Sequence, residues 1–446
     1  MINTKPLVLV TGPVTTRSGY GNHSRDVCRA LIESDKYNVK IHAVRWGTTP
    51  MNALENDNPI HREIHKRIIT NLNLQAQPDI HLHIVVPNEF QPQGKKNIGM
   101  TAGIEHTVPP YEWVNGVNRM DRTICTSEFT KETFEKASYS GKDKNTGQQT
   151  TLKTIRPLDV LFEGADPEIF KQNNEFNLEF VETMKKVKED FCFLYVGHWL
   201  QGNLGEDRKD TGMMVKVFCE TFKNMKNPPA LIMKTSGATF SIIDREEILK
   251  KVKVIKDSIN AKSLPNVYVL HGDFKDEEMN QIYNHPKVKA HLTFTHGEGF
   301  GRPLLEASFS GKPILAPLWS GQKDFLNKDY VVELPHTLTK VPKSAFPKEF
   351  SNNDAYWATV NYALASRAMK NVFNNYDKFK LKGKKLMIVN RELFSHEAMR
   401  EKLEKIIDRE LEGVSQQVKL TLPKLKKKDS SSQKSSEIKL PKLKKV

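Results

Sequence analysis

Short β-rich apolar runs alternate with stretches of helical periodicity, in two successive blocks. The first block places candidate strands at 7–11, 39–44, 81–86, 97–101, 122–126 and 155–162. The second places them at 191–196, 230–234, 266–270, 290–295 and 313–316. Such alternation of strand-like and helical stretches is the signature of a parallel sheet wrapped by helices. The pattern therefore predicts two α/β units, each a doubly wound parallel sheet. Residues 1–170 form the first domain and 171–375 the second, with the acidic and polar stretch 166–177 between their strands. The segment 354–412 has helical periodicity with few breakers, and 376–415 are expected to pack back on the first domain as a clamp. A polar stretch at 139–151 reads as an exposed loop or hairpin.

Composition adjusts this picture at the ends and excludes some classes. With 446 residues and 38% hydrophobic content the chain can bury full cores, and no apolar run approaches the ~20 residues of a membrane span. The first apolar run leads straight into Thr11-Gly12-Pro13, a strand and turn rather than a cleavable signal. Cys28, Cys125, Cys192 and Cys219 stand singly in apolar surroundings and read as buried free thiols, so a cytoplasmic location is expected. Of the net charge of +15, the last 31 residues contribute +8, from ten lysines against Asp429 and Glu437. There Leu422-Pro423-Lys424-Leu425-Lys426-Lys427 recurs as Leu440-Pro441-Lys442-Leu443-Lys444-Lys445. Residues 416–446 are expected to be a disordered basic tail, suited to an anionic membrane face or to nucleic acid; a solubilising extension is the plain alternative.

The chemistry concentrates in His296-Gly297-Glu298-Gly299-Phe300-Gly301-Arg302-Pro303-Leu304-Leu305-Glu306-Ala307. It reads as a glycine turn after a strand and before a helix. Glycines let a backbone come close to a ligand, and Pro303 suits the first turn of a helix whose free N–H groups attract phosphate. Glu298 in the turn and Glu306 in the helix can meet opposite ends of one elongated ligand. A second loop, Thr15-Thr16-Arg17-Ser18-Gly19-Tyr20-Gly21, follows the first strand and precedes a helix expected to start near Asn22, so Gly19 and Gly21 are candidates for a phosphate from across a cleft. Alone, that loop would look the same with no ligand. His61 and His65 sit four residues apart with no carboxylate or cysteine cluster beside them, and are taken as surface residues rather than metal ligands. No G-x-x-x-x-G-K-[ST] stretch supports a nucleoside triphosphatase.

Two glutamates with seven residues between them in an EGFGxPLLEA setting resemble the E-x7-E signature of retaining glycosyltransferases of family 4 (glycosyl transferases group 1), in the GT-B superfamily. The resemblance covers nearly all of 5–335. Tyr195-Val196-Gly197 with Asp207-Arg208-Lys209-Asp210 is similar to the family's "VG…RK" opening of the C-terminal domain, and Leu231-Ile232-Met233-Lys234 to its lysine strand. Residues 101–134, with Glu105, Pro109, Trp113, Asn118, Asp121 and Ser127, resemble a segment near the acceptor cleft; Glu163-Gly164-Ala165-Asp166-Pro167 with Phe170 resembles the interdomain "GVD…F" stretch.

What the resemblance implies is a GT-B fold: two Rossmann-like domains facing a cleft, donor on the C-terminal side and acceptor on the N-terminal side. The implied reaction moves a hexose-type sugar from a UDP- or GDP-sugar to an acceptor hydroxyl with retention of configuration, by a front-face route in which the leaving phosphate oxygen helps deprotonate the acceptor. Carried over by position, Arg208 and Lys234 clamp the diphosphate, Glu306 binds the ribose and Glu298 contacts the sugar's hydroxyls. Gly299, Phe300 and Gly301 would line the same donor site. Glu105 and His106 would face the acceptor, with capping or packing as the alternative. Cations of this kind lower the barrier directly, because negative charge builds on the departing nucleotide. No Asp-x-Asp pair occurs, so metal independence and no further cofactor are expected. Open alternatives are a transferase acting on a modified DNA base with the tail holding nucleic acid, a same-fold sugar-nucleotide epimerase or phosphorylase, and a silent binding protein.

Overall fold

The computed structural model describes residues 5–72, 74–142, 147–237, 239–346 and 354–414; the lysine-rich stretch 416–446 lies outside the described residues. Residues Lys5–Val414 form one compact unit built of two halves.

The N-terminal half runs β1 (Leu7–Gly12), α1 (Gly19–Glu33), β2 (Asn38–Ala43), α2 (Pro59–Arg67), β3 (Ile80–Ile84), β4 (Lys96–Thr101), α3 (Tyr111–Arg119), β5 (Arg122–Cys125) and α4 (Glu128–Lys136). An antiparallel hairpin, β6 (Ser138–Lys142) with β7 (Gln149–Lys153), precedes β8 (Leu158–Val160). Six strands form a parallel sheet in the order β2-β1-β3-β4-β5-β8. The apolar runs become strands where both faces are covered: every residue of β3 is buried, and so is all of β4 except Lys96. Ser127 caps α4 by accepting the Thr130 N–H, with Glu128 favourably placed in its first turn.

The C-terminal half runs α5 (Leu178–Lys185), β9 (Cys192–Val196), α6 (Thr211–Phe222), β10 (Ala230–Lys234), α7 (Ile242–Asp257), β11 (Val267–Leu270), α8 (Asp276–Asn284), β12 (Val288–Leu292), α9 (Arg302–Ser308), β13 (Ile314–Ala316) and β14 (Val332–Glu333). Its parallel sheet has the order β11-β10-β9-β12-β13-β14, which reverses direction between β9 and β12. That order is the doubly wound pattern in which a crevice opens at the carboxyl ends of the strands. β12 ends three residues before the predicted limit of 295. The hydroxyl of Thr293 accepts the Thr295 N–H and that of Thr295 donates to the Gly297 carbonyl, so threonine side chains take over from the ladder.

After the second sheet, β15 (His336–Lys340) and β16 (Tyr356–Val360) pair antiparallel, followed by α10 (Tyr362–Asn374), α11 (Tyr376–Leu393) and α12 (His396–Leu411). Helical periodicity over 354–412 is thus corrected at its start. Tyr356-Trp357-Ala358-Thr359-Val360 is β-favouring, and burial of Trp357, Ala358 and Val360 fixes it as a strand. Helix begins only after the Asn361 cap. α10 packs on α6, α11 on α9, and α12 crosses to pack on α1. All four cysteines are buried and free. Among the described residues no helix is long and apolar enough to cross a membrane.

Candidate functional site

A cavity of about 520 Å3 lies between the carboxyl ends of the two sheets, lined by residues that follow β1, β4, β5 and β8 on one side and β9, β10, β11 and β12 on the other. Its C-terminal wall begins at a strained turn. Asp210 is held in the left-handed region (φ 49°), with the Tyr362 hydroxyl donating to its carboxylate at 2.8 Å, and Asp207 accepts the Thr211 N–H at 3.1 Å. This turn presents two adjacent cations to the cavity. Arg208 Nη1 lies 3.0 Å from Glu105 and 3.5 Å from Glu298, while Lys209 Nζ lies 2.5 Å from each Glu298 carboxylate oxygen. Burial opposes charge on Glu298, yet Lys209 and Arg208 outweigh it and hold the carboxyl below its usual range. Burial lowers the Lys209 pKa despite Glu298, whereas for Arg208 burial is outweighed by Glu105 and Glu298.

Lys234, at the end of β10, also lines the cavity. Its ammonium lies 5.5 Å from the centroid of Phe240 and 5.3 Å from that of Phe274, and among the described residues it has no carboxylate in salt-bridge range. Burial lowers its pKa, with Asp273 and Glu306 acting in the opposite sense from further off. Glu306 is buried on α9, accepting from Arg302 Nε at 2.8 Å and from the Tyr283 hydroxyl at 3.1 Å. Burial dominates and raises its pKa to about 7 against the pull of Arg302.

The glycines of the motif also bring the two halves of the molecule together. A Cβ on Gly297 would stand 2.5 Å from the Glu105 carbonyl, and one on Gly299 would stand 2.6 Å from the Ala102 carbonyl. Their smallness therefore serves close approach between the two halves as well as to a ligand. The Gly299 carbonyl accepts from Ser127 Oγ at 2.7 Å and Thr126 Oγ1 at 3.2 Å, across the same seam. Gly301 is left-handed (φ 103°), and Gly299, Phe300 and Gly301 all line the cavity.

On the N-terminal wall, α1 starts at Gly19 rather than near Asn22, because Ser18 caps it by accepting the Gly21 N–H at 3.0 Å. Gly19 faces open space in the cavity wall. Gly21 does not line it: its N–H is taken, and a Cβ there would stand 2.2 Å from the Thr16 carbonyl, so that glycine is required by its own loop. Glu105 lines the cavity, but His106 is fully buried, edge-on to Phe346 at 5.1 Å, and is not part of the wall. The structure separates those two neighbours.

Several wall residues had no assigned role in the sequence. Lys209 was legible only as one of two adjacent cations, and the αL turn decides which of them grips Glu298. Arg302 pairs with Asp26 of α1 across the halves as well as with Glu306. His61, expected on the surface, lines the cavity; its Nδ1 accepts the Glu55 N–H at 3.0 Å, and burial lowers its pKa to about 4. His198 lines it too, 3.0 Å from Ser236 Oγ. Arg17 bridges Glu55 and Asp273, and Lys275 reaches Glu55, closing one rim of the cavity with charge. Among the described residues no three His, Cys, Asp or Glu side chains cluster as metal ligands.

With this geometry in view, the chain was compared with known proteins. It matches no protein-family model and no curated protein. Solved structures match over nearly its whole length. HepE of Anabaena, solved with UDP and glucose, has a TM-score of 0.54 at 11% identity, over 91% of this chain and 100% of that one. Sucrose-phosphate synthase of Thermosynechococcus elongatus has a TM-score of 0.58 at 12% identity, over 91% and 99%. An E. coli structure described as trehalose-6-phosphate bound with UDP-2-fluoro glucose has a TM-score of 0.58 at 9% identity, over 92% and 100%. The fold is GT-B. At these identities the GT-B likeness concerns architecture alone, and the chemistry of this chain must be argued from its own cavity.

Proposed function

We propose that this chain transfers a hexose-type sugar from a UDP- or GDP-sugar to an acceptor hydroxyl, with retention of configuration and without a metal ion. The observation that carries the reading is the wall itself: Glu298 braced by Lys209 and Arg208, Glu306 braced by Arg302 and Tyr283, and Lys234 without a carboxylate partner, all on one cavity. A half-buried cation that meets no carboxylate among the described residues is well placed to take an anionic ligand from the cavity. Lys234 is thus the seat for a diphosphate, with Arg208 beside it to stabilise the departing nucleotide. Glu298 is ionised and accepts from hydroxyls of the transferred sugar; Glu306 accepts from the ribose. Glu105 faces the acceptor, and His106 acts behind the wall.

Support comes also from the solved GT-B structures described with UDP and glucose or with UDP-2-fluoro glucose. Retention, and a front-face route in which the leaving phosphate oxygen takes the acceptor proton, rest on the resemblance of the Glu298–Glu306 motif to family 4. Metal independence rests on the cations and the missing Asp-x-Asp pair. The protein is placed in the cytoplasm. The lysines of 416–446 favour a second reading with the same donor site, in which a modified DNA base is the acceptor; an anionic membrane face is the other use of that tail. An epimerase or phosphorylase would instead release no transferred product or would require phosphate.

The test is a screen of UDP-glucose, UDP-galactose, UDP-N-acetylglucosamine and GDP-mannose for thermal stabilisation and nucleotide release, with chelator present. One donor should stabilise the wild type and fail to stabilise Lys234→Ala and Glu306→Ala. Failure of every nucleotide and nucleotide sugar to bind would overturn the reading.

A further inference from the structure

On the N-terminal wall of the cavity stands a carboxyl that the reading above does not use. Glu163 follows β8, lines the cavity, and is 7% exposed. Its backbone neighbours are fixed from behind. The Ala165 N–H donates to the Phe394 carbonyl at 3.0 Å and the His396 N–H donates to the Ala165 carbonyl at 2.9 Å. A Cβ on Gly164 would stand 2.7 Å from the His396 Cα, so the chain is pressed against the start of α12 with no room to shift. The side chain is therefore held at the wall by the fold.

Among the described residues Glu163 makes no hydrogen bond and no ion pair. Its charged and titratable surroundings are Arg302 and Glu306 of α9, Asp26 and Tyr20 of α1, and Glu298 of the glycine turn. Arg302 does not serve it, being committed to Asp26 and Glu306. The Glu163 carboxyl oxygens are open to the cavity rather than sealed in the core, so a ligand bound there can reach them. Glu306 and Glu298, the carboxylates assigned to the ribose and the sugar, both act on Glu163 across the cavity, so a ligand that spans those two glutamates passes it.

We propose that Glu163 is a specificity-determining residue that hydrogen-bonds a hydroxyl of the transferred sugar from the N-terminal wall. The inference rests on the donor reading above and extends it to the N-terminal half. Burial, reinforced by Asp26, Glu306 and Glu298 against Arg302, pushes this carboxyl up to about 8. At neutral pH it is an acid that donates, while Glu298 is a carboxylate that accepts. Two walls of opposite hydrogen-bonding character select a hydroxyl pattern rather than an anion. A second carboxylate there would instead repel the diphosphate.

The experiment is isothermal titration of full-length wild type, Glu163→Ala and Glu163→Gln with UDP, GDP and the four nucleotide sugars above. The quantity read is the affinity for the bound sugar nucleotide divided by that for its free nucleotide. Glu163→Ala should lower this ratio about tenfold, and Glu163→Gln, whose amide also donates, should keep it within about threefold. On going from about pH 7 to about pH 9 the wild-type ratio should fall while that of Glu163→Gln stays flat. An unchanged ratio in Glu163→Ala overturns the inference, as does an equal loss of free-nucleotide affinity, which would mark a structural role. Wild type binding no nucleotide sugar would overturn the donor reading and this inference with it; wild type binding while Glu163→Ala is unaffected overturns this inference alone.

Discussion

Lys209 lies 2.5 Å from both carboxylate oxygens of Glu298, closer than Arg208, which divides itself between Glu298 and Glu105. The cation that fixes the sugar-facing carboxylate is therefore the second of the adjacent pair. Removing it in Lys209→Met should lower kcat/KM about tenfold to a hundredfold. It should also move the acid limb of the pH profile to higher pH, because Glu298 loses the larger of the two charges that hold its pKa down. Nucleotide release measured across pH gives both numbers. An acid limb that stays put in the variant counts against Glu298 as the titrating group.

Gly299 carries a second prediction. Its carbonyl is gripped by Ser127 and Thr126, and a Cβ would enter the Ala102 carbonyl at 2.6 Å, backbone that cannot swing aside. Gly299→Ala should cost about 1–3 kcal/mol in urea denaturation. It should also enlarge the radius of gyration by X-ray scattering as the halves part. Ser127→Ala loses only hydrogen bonds and should cost about 1 kcal/mol with the halves still in contact. Equal scattering profiles for Gly299→Ala and wild type would assign that glycine to ligand approach instead.

The architecture was legible where parallel strands buried on both faces leave short apolar runs, as β1 and β9 do; β2 and β8, at the edges of the first sheet, are only partly buried and keep polar residues within them. β14 escaped because Val332–Glu333 is too short to make a run, and β16 because its alternation sits beside a long helical pattern. The positions of Glu298 and Glu306 were legible from glycine spacing. What Gly297 and Gly299 touch was not, since their partners at Glu105 and Ala102 lie nearly two hundred residues away. Gly21 and His106 show the same limit: each lies in a loop beside the cavity, yet Gly21 is packed on Thr16 and His106 on Phe346, partners that local pattern does not reveal. Glu163 carried no signal beyond its place beside a familiar stretch.

Arg302 joins the halves through Asp26 while bracing Glu306, and both its side chain and that of Asp26 are mostly buried. Asp26→Ala leaves the guanidinium with Glu306 alone and should cost about 1–3 kcal/mol, less than the loss of a sole partner. Glu306 is then paired more tightly with Arg302, so nucleotide affinity should fall without any change in the ratio that reports on Glu163. Denaturation and titration of the one variant check both statements. Unaltered stability would mean that water replaces Asp26 without cost.

The raised carboxyls make stability depend on pH with a sign opposite to the usual one. Burial lifts Glu306 to about 7 and Glu163 to about 8, from an ordinary value of 4.5. Below about pH 4.5 both are protonated, folded or unfolded, and neither contributes. As pH rises from there through 7 and 8, the unfolded chain has released protons that the folded chain still binds, so stability falls with pH and levels off once both are ionised in the fold. The contribution of these two carboxyls should thus fall between about pH 5 and about pH 9, against the rise that buried neutral histidines such as His23 and His291 give up to about pH 6.5. Glu163→Gln should lose less, by on the order of 4 kcal/mol at the upper end. Taking the difference between the two urea curves cancels the buried Asp210, which burial lifts to about 8 in both proteins. Parallel curves for the two proteins would show that Glu163 is ionised throughout, and that its hydrogen-bonding partner in the cavity must then be a donor rather than an acceptor.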